Sequence, residues 1–317
     1  MRLPQSAQPA TLAVLALACA ASLSACSSSS SAAGSNGSNG SNGSNGSTTS
    51  TAPTAGGKDA ALAALVPVAI AAKGTLVVGS DTTYAPSEFL DTDNKTPIGF
   101  DVDLVEAVGV VLGLKVDVQT SDFSAIIPGV TQSGKFDLGV SSFTINADRE
   151  KQVDMVSYYS AGTSWATASG GTITPDTACG KKVAVQTGTV QVDDVTARSK
   201  ACTSAGKGAI SIDQYQAQDA ATQAVVSGKD DAMLADSPVI AYAIKQTGGK
   251  LAAAGANYGN APYGYVVAKT DAGLAKAIQG AVQKLITDGT YATILSKWGV
   301  QSGAITASDV AINPPVQ

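Results

Sequence analysis

From residue 74 onward the apolar positions switch repeatedly between two periods. Leu76-Val77-Val78-Gly79 is a short continuous apolar run, the pattern of a buried strand. From Asp101 to Leu114, Val105, Val108 and Leu112 recur at helical spacing, and Gly113 marks the end. Val116 and Val118 alternate as a strand, Phe123 to Val130 reads as a short helix, and Asp137 to Ser141 is a strand entering a polar turn. A second series begins at Lys181 with a strand over Val183–Gln186, a turn at Thr187-Gly188 and a helix through Ala201. The pattern then predicts a helix over Gln216–Ser227, a strand over Ala232–Leu234 and a helix from Pro238 to Thr247. The last third predicts a strand over Tyr265–Ala268, a helix over Ala272–Thr287 and a shorter helix ending near Trp298. This alternation predicts an α/β chain of two lobes with parallel-rich sheets. Ligands of such sheets sit beyond the C-terminal ends of the strands.

The first sixty residues follow a different pattern. Arg2 precedes a mainly apolar run from Thr11 to Leu23, too short to span a bilayer and typical of a signal-peptide core. The run ends in Leu23-Ser24-Ala25-Cys26, which resembles a bacterial lipobox, so residues 1–25 read as a lipoprotein signal peptide and Cys26 as the lipidated residue. Residues 26–57 continue as a Ser/Gly/Asn tract with almost nothing apolar to bury, which predicts a disordered tether spanning roughly 30 Å root-mean-square. Its Asn-Gly-Ser triplets match the glycosylation sequon, but expansion of a linker repeat explains them better.

Of the 317 residues, about 260 remain, enough for one large or two medium domains. The net charge of −5 argues against a nucleic-acid surface. There is no histidine, which excludes Ser-His-Asp and Cys-His chemistry and any metal site bearing histidine. With Cys19 in the leader and Cys26 lipidated, Cys179 and Cys202 remain; a pair in an exported protein is most simply a disulfide. Asp91-Thr92-Asp93-Asn94 hints at a calcium loop, but position six is Thr96 and position twelve is Val102, so it reads as a hairpin turn. No metal, phosphate-binding loop, dinucleotide fingerprint or other cofactor site is indicated.

Three polar clusters follow predicted strands. The first runs from Gly79-Ser80-Asp81 through Tyr84, Pro86, Glu88 and Phe89, followed by Gly99-Phe100-Asp101-Val102-Asp103-Leu104. The second is Ser141-Ser142-Phe143-Thr144-Ile145-Asn146-Ala147-Asp148-Arg149. The third is Val185-Gln186-Thr187-Gly188-Thr189-Val190-Gln191, with Asp236 after the strand Ala232–Leu234. In order and spacing these resemble the polar-amino-acid family of periplasmic solute-binding proteins, family 3, over about residues 74–299. The resemblance implies a two-lobed Venus-flytrap fold with hinge crossings near Ala161–Trp165 and Gly255–Tyr263. Lobe 1 is then 58–161 plus 263–317, and lobe 2 is 162–262.

The resemblance also implies roles. Arg149 matches the arginine that holds the ligand α-carboxylate, for which a planar guanidinium offers two parallel charge-assisted bonds. Unaided, Asp148-Arg149-Glu150-Lys151 would read as a solvated helix start. Thr144 matches a position assisting the carboxylate, and Ser142 one whose carbonyl accepts from the ligand ammonium. Thr189 matches a main-chain donor at a helix start, where unpaired N–H groups favour an anion; it also reads as a plain N-cap. Asp236 matches the acid that pairs with the ammonium, although alone it too would read as an N-cap. Tyr84 and Phe123 match aromatics that sandwich the ligand side chain; taken singly, either would read as core. Asp81 matches an acid facing the side-chain pocket and favours a basic or amide ligand, and Gln186 lies at a variable pocket position. Asp101 and Asp103 read as structural caps of the helix that follows. Departures are Ser87 in place of the usual aromatic, Asn146 in place of threonine, and Val153-Asp154-Met155 in place of Asp-Phe.

The implied function is capture of a polar amino acid outside the cytoplasm by a monomer, lipid-anchored to the cell membrane, for delivery to an ABC permease and its ATPase. An enzyme on the same scaffold, of the cyclohexadienyl dehydratase kind, would use Glu88, Asp81 or Asp236 as acid/base groups. A ligand-sensing module is the other alternative.

Overall fold

The structure, a computed structural model, describes residues 56–316. The leader, Cys19, Cys26 and all but the last two residues of the tether lie outside the described residues. The strands in chain order are β1 (Thr75–Ser80), β2 (Thr83–Tyr84), β3 (Glu88–Leu90), β4 (Pro97–Ile98), β5 (Lys115–Thr120), β6 (Leu138–Gly139), β7 (Val153–Ala168), β8 (Lys182–Gln186), β9 (Ser211–Tyr215), β10 (Ala232–Asp236), β11 (Leu251–Ala253) and β12 (Tyr258–Ala268).

Nine of these form one continuous sheet in the order β5-β1-β6-β12-β7-β10-β8-β9, with β11 also on β7. At one end β1 pairs in parallel with both β5 and β6; at the other, β8 pairs in parallel with both β9 and β10. Between them β7 and β12 run antiparallel, from Val153 opposite Ala268 to Thr163 opposite Tyr258. The 16 residues of β7 make it long enough to serve both ends, pairing β12 in its first half and β10 and β11 in its second. The segments expected to cross between lobes, 161–165 and 255–263, therefore lie side by side, with Ala161 opposite Ala261.

Helices cover both faces of each end, as parallel strands joined by crossovers require. Helices Phe100–Leu112, Ala272–Thr287 and Thr290–Trp298 bury Val105, Val108, Ile278 and Leu295 against Leu76 and Val78 of β1. Helix Phe123–Thr131 covers the opposite face through Ile126 and Val130. At the far end, helices Gln218–Val226 and Ser237–Gln246 pack Val225, Val239 and Ile240 onto one face. Helix Val190–Ser204 packs Val195 and Cys202 onto the other.

The predicted elements appear, with revised bounds. The helix expected from Asp101 to Leu114 spans Phe100–Leu112, and the strand expected over Asp137–Ser141 is only Leu138–Gly139. β7 and β9 had no separate periodic signal, and β12 starts seven residues before Tyr265. Buried Ser157, Thr163 and Thr167 interrupt the apolar pattern of β7. The hairpin read at Asp91–Asn94 joins β3 to β4, with Thr96 Oγ1 and two main-chain N–H groups closing on Asp93.

Asp101 and Asp103 are structural but do not cap. Gly99 holds the N-cap position, and neither carboxylate closes on the first turn. Asp103 Oδ2 accepts from Lys297 Nζ at 2.8 Å and Trp298 Nε1 at 2.7 Å, while Asp101 is spent beneath the cleft. Gly99 has φ of 135°, and a Cβ there would lie 2.0 Å from the Ser87 carbonyl. Only glycine lets the helix start sit this close, with Phe100 and Asp101 N–H donating to the carbonyls of Pro86 and Ser87.

The last residues lie along the free side of β7. Ser157 N–H donates to Ala311 O, Asn313 N–H donates to Met155 O, and Asn313 Oδ1 accepts from Met155 N–H. Cys179 and Cys202 form a disulfide that ties the last turn of helix Val190–Ser204 to the segment before β8. Replacing both by serine should lower stability by about 3 kcal/mol, the chain-entropy value for a loop of this size. Urea unfolding of the purified domain, with the native protein under reducing and non-reducing conditions as comparison, measures it.

Candidate functional site

Four strand ends converge. β1 delivers Ser80 and Asp81, β6 leads into Ser141 and Ser142, β8 ends at Gln186, and β10 ends at Asp236. All four leave at C-terminal ends of parallel-paired strands, where α/β sheets place ligands. The cleft between them is lined by Tyr84, Phe123, Ser142, Arg149, Gln186 and Asp236, together with Ser141, Thr144 and residues 189–191. Eight of the nine expected ligand-binding residues thus line one cleft. The ninth, Asp81, sits directly behind it and bonds to two of the lining residues.

Arg149 is the cationic pole. The Asn146 side chain caps the short helix Ala147–Glu150 by accepting from Arg149 N–H at 2.9 Å, which sets where the arginine leaves the backbone. Its guanidinium donates to Thr144 O at 2.7 Å and to Gly188 O at 3.3 Å, so it draws the two ends of the sheet together. The faces of Phe123 and Phe143 stack on one another at 4.5 Å and lie 5.4 and 5.3 Å from its central carbon. Among the described residues no carboxylate forms an ion pair with it. Burial therefore pushes the guanidinium down to about 10, and it remains charged at neutral pH.

The acidic groups occupy two other places. Asp236 sits at the N-cap of helix Ser237–Gln246 without closing on it; Oδ1 instead accepts from Gln191 Nε2 at 2.7 Å. Its main-chain N–H donates to the Tyr84 hydroxyl at 3.1 Å, and burial raises its carboxyl above the usual range. Asp81 Oδ2 accepts from Phe123 N–H at 3.0 Å and from Gln186 Nε2 at 2.7 Å, while Oδ1 accepts from Thr83. Burial pushes its carboxyl up to about 6 despite those bonds. Thr189 forms the N-cap of helix Val190–Ser204, but its hydroxyl donates back to Gln186 O, which leaves the helix start facing the cleft. Ser142 adopts a left-handed φ of 48°, held by its N–H and hydroxyl donating to Asp101 Oδ2.

Three further residues complete the site. Gln191 lines the cleft and orients Asp236; its signal was a polar residue in the first helical turn after Thr189, just past the turn. Ser141 and Phe143 belong to the second polar cluster without having been singled out. Glu88, considered as an enzymatic acid, is fully buried behind Ser141 and does not line the cleft.

The arrangement offers one buried cation, one buried acid and the start of a helix in the wall of one cleft, with a second buried acid, Asp81, directly behind it. It suits a small zwitterion better than an extended or apolar ligand. Comparison with known proteins agrees. The family described as bacterial extracellular solute-binding proteins, family 3, matches residues 76–301. The arginine-binding protein ArgT of Corynebacterium glutamicum is 40% identical over 245 residues, 76% of this chain and 80% of that protein. The lysine/arginine/ornithine-binding periplasmic protein of Escherichia coli is 31% identical over 256 residues, 75% of this chain and 95% of that protein. An ancestral arginine-binding protein solved with arginine bound superposes with a TM-score of 0.65 at 34% identity, covering 71% of this chain and 98% of that one. The fold is the two-lobed periplasmic-binding-protein fold, these relatives are binding proteins and not enzymes, and the chain belongs to the bacterial extracellular solute-binding proteins, family 3.

Proposed function

We propose that this protein captures an L-amino acid with a cationic side chain, arginine foremost, outside the cytoplasm and delivers it to an ABC importer. The observation that carries the reading is the charge inventory of the cleft: among the described residues Arg149 has no carboxylate in an ion pair with it, and Asp236 and Asp81 have no cation. The α-carboxylate belongs with Arg149 and the helix start at Thr189. The α-ammonium belongs with Asp236 and the Ser142 carbonyl. A guanidinium or ammonium at the far end of the ligand, between Tyr84 and Phe123, then meets Asp81 and Gln186. One cation against two anions leaves the site one negative charge in excess, and an amino acid of net charge +1 balances it. Buried charges are tolerated only when paired in this way. The arginine-binding relatives support the choice of side chain.

Capture proceeds by closure. Residues 58–161 with 263–317 form one lobe and 162–262 the other, and the paired strands β7 and β12 cross between them. The lobe bearing Arg149 takes the carboxylate first, and rotation brings Thr189 and Asp236 onto the ligand. A signal peptide over residues 1–25, lipidation at Cys26 and the Ser/Gly/Asn tether would hold this monomeric domain at the membrane surface, within reach of the permease and its ATPase.

Titration calorimetry against the twenty amino acids tests the assignment. Arginine or lysine should bind, and Arg149→Ala should weaken binding about a hundredfold or more, the cost of leaving a charged ligand group buried and unpaired. Preference for an uncharged amino acid would show that the side-chain end has been misassigned.

Asp81 supplies a pH signature. Its carboxyl titrates near 6 in the unliganded fold, above the unfolded value of about 3.9. A raised carboxyl stabilises the fold below about pH 4, and that contribution is lost as pH rises through 6. A cationic side chain prefers the ionised form, so arginine affinity should fall below pH 6 by up to about tenfold per unit, with proton release on binding. Asp81→Asn should reduce the slope to what Asp236 alone contributes; an unchanged slope in that variant would place the ligand side chain elsewhere.

A further inference from the structure

Behind the cleft lies a pair of acids that ligand binding does not use. Glu88 at the start of β3 and Asp101 in the first turn of helix Phe100–Leu112 are both fully buried. Gly99 brings the two segments together, and the carboxyl groups lie within hydrogen-bonding reach of each other. Asp101 Oδ2 accepts three donors: Ser142 N–H at 3.0 Å, Ser142 Oγ at 3.2 Å and the Tyr158 hydroxyl at 2.6 Å. Glu88 Oε1 accepts one, Ser141 Oγ at 2.8 Å. The remaining oxygens, Glu88 Oε2 and Asp101 Oδ1, have no donor around them if both groups are ionised.

Among the described residues no cation faces the pair. The titratable groups that face the pair are Asp81 beyond β1, Tyr84 on β2, Tyr158 and Tyr159 on β7, Tyr265 on β12, and Tyr291 on helix Thr290–Trp298. Two anions in contact there would repel each other in a low-dielectric pocket, each with one oxygen unsatisfied. A single proton removes both defects. It belongs on Glu88, because Asp101 has three donors to stabilise a charge and Glu88 has one.

We propose that Glu88 is a protonated positioning residue of the binding cleft, donating its proton to Asp101 and so locking the Ser141–Ser142 turn against which the ligand head group is held. The coupling runs through named bonds. Ser141 Oγ donates to Glu88 and accepts from Asp81 N–H at 3.1 Å, so the end of β1 hangs on the same proton. Ser142 is held in its left-handed conformation by two hydrogen bonds to Asp101. Loss of the proton sets the two carboxylates against each other and loosens both serines at once.

The effect on ligand affinity rests on the amino-acid-binding reading above; the proton itself does not. Glu88→Gln reproduces the protonated form, with an amide N–H toward Asp101 and a carbonyl toward Ser141, whereas Glu88→Ala leaves both partners open. Three measurements on the mature domain test the proposal. Infrared difference spectra between the unmutated protein and Glu88→Gln at neutral pH should show the carbonyl stretch of a protonated carboxylic acid in the former only. The melting temperature of the unmutated protein should fall relative to Glu88→Gln as pH rises above about 5, because a raised carboxyl gives up stability in that direction. Arginine affinity should stay within about threefold in Glu88→Gln and drop about ten- to a hundredfold in Glu88→Ala, the usual cost of unsatisfied buried partners.

Absence of the protonated-acid band, a pH-independent melting difference, or a Gln variant as damaged as the Ala variant would each overturn the proposal. If no amino acid binds, the infrared and melting measurements still decide the proton, and only the reading of function fails.

Discussion

Taking a zwitterion out of water is costly unless every charge it brings finds a partner already in place. That constraint organises this molecule. Arg149 can serve as the partner for a carboxylate because the protein spends only main-chain carbonyls and two aromatic faces on it. Had a resident aspartate paired with it, the guanidinium would be more comfortable and useless. The same holds in reverse for Asp236, whose close donor is the neutral amide of Gln191. The cleft is preorganised by neutral groups, and its charges are left without charged partners among the described residues.

The fold explains how so many charges reach one place. Parallel strands end together, and in two facing sets the loops after β1, β6, β8 and β10 point at one another. Each loop can then vary its polar residues without touching the apolar faces that hold the helices. The acid pair beneath the cleft is the complementary device. Glu88 and Asp101 pin the Ser141–Ser142 turn from the core side, leaving its other side open to the cleft.

Much of this was legible along the chain. Leu76–Gly79, Val183–Gln186 and the helix carrying Val105 and Val108 declare themselves by period, and the polar runs after them mark the site because nothing in a core would require them there. The crossing strand β7 was not legible. Ser157, Thr163 and Thr167 are buried by pairing with distant strands and with the chain's last residues, which no local window contains. Gln191 escaped for a related reason: a glutamine in the first turn of a helix looks solvated until Asp236, 45 residues later, is known to face it. Asp101 and Asp103 read as caps because caps are the common use of acids at a helix start, and their true partners lie on Ser142, Tyr158 and the C-terminal helix.

The residues at 311–313, laid along the free side of β7, bear on solubility. The first half of β7 pairs with β12 on one side, and on the other it would present open N–H and C=O groups to any second chain. Ala311 and Asn313 occupy those groups at Ser157 and Met155. An open strand side invites edge-to-edge association between copies of any protein, and one closed from within removes the template on which a neighbour could build.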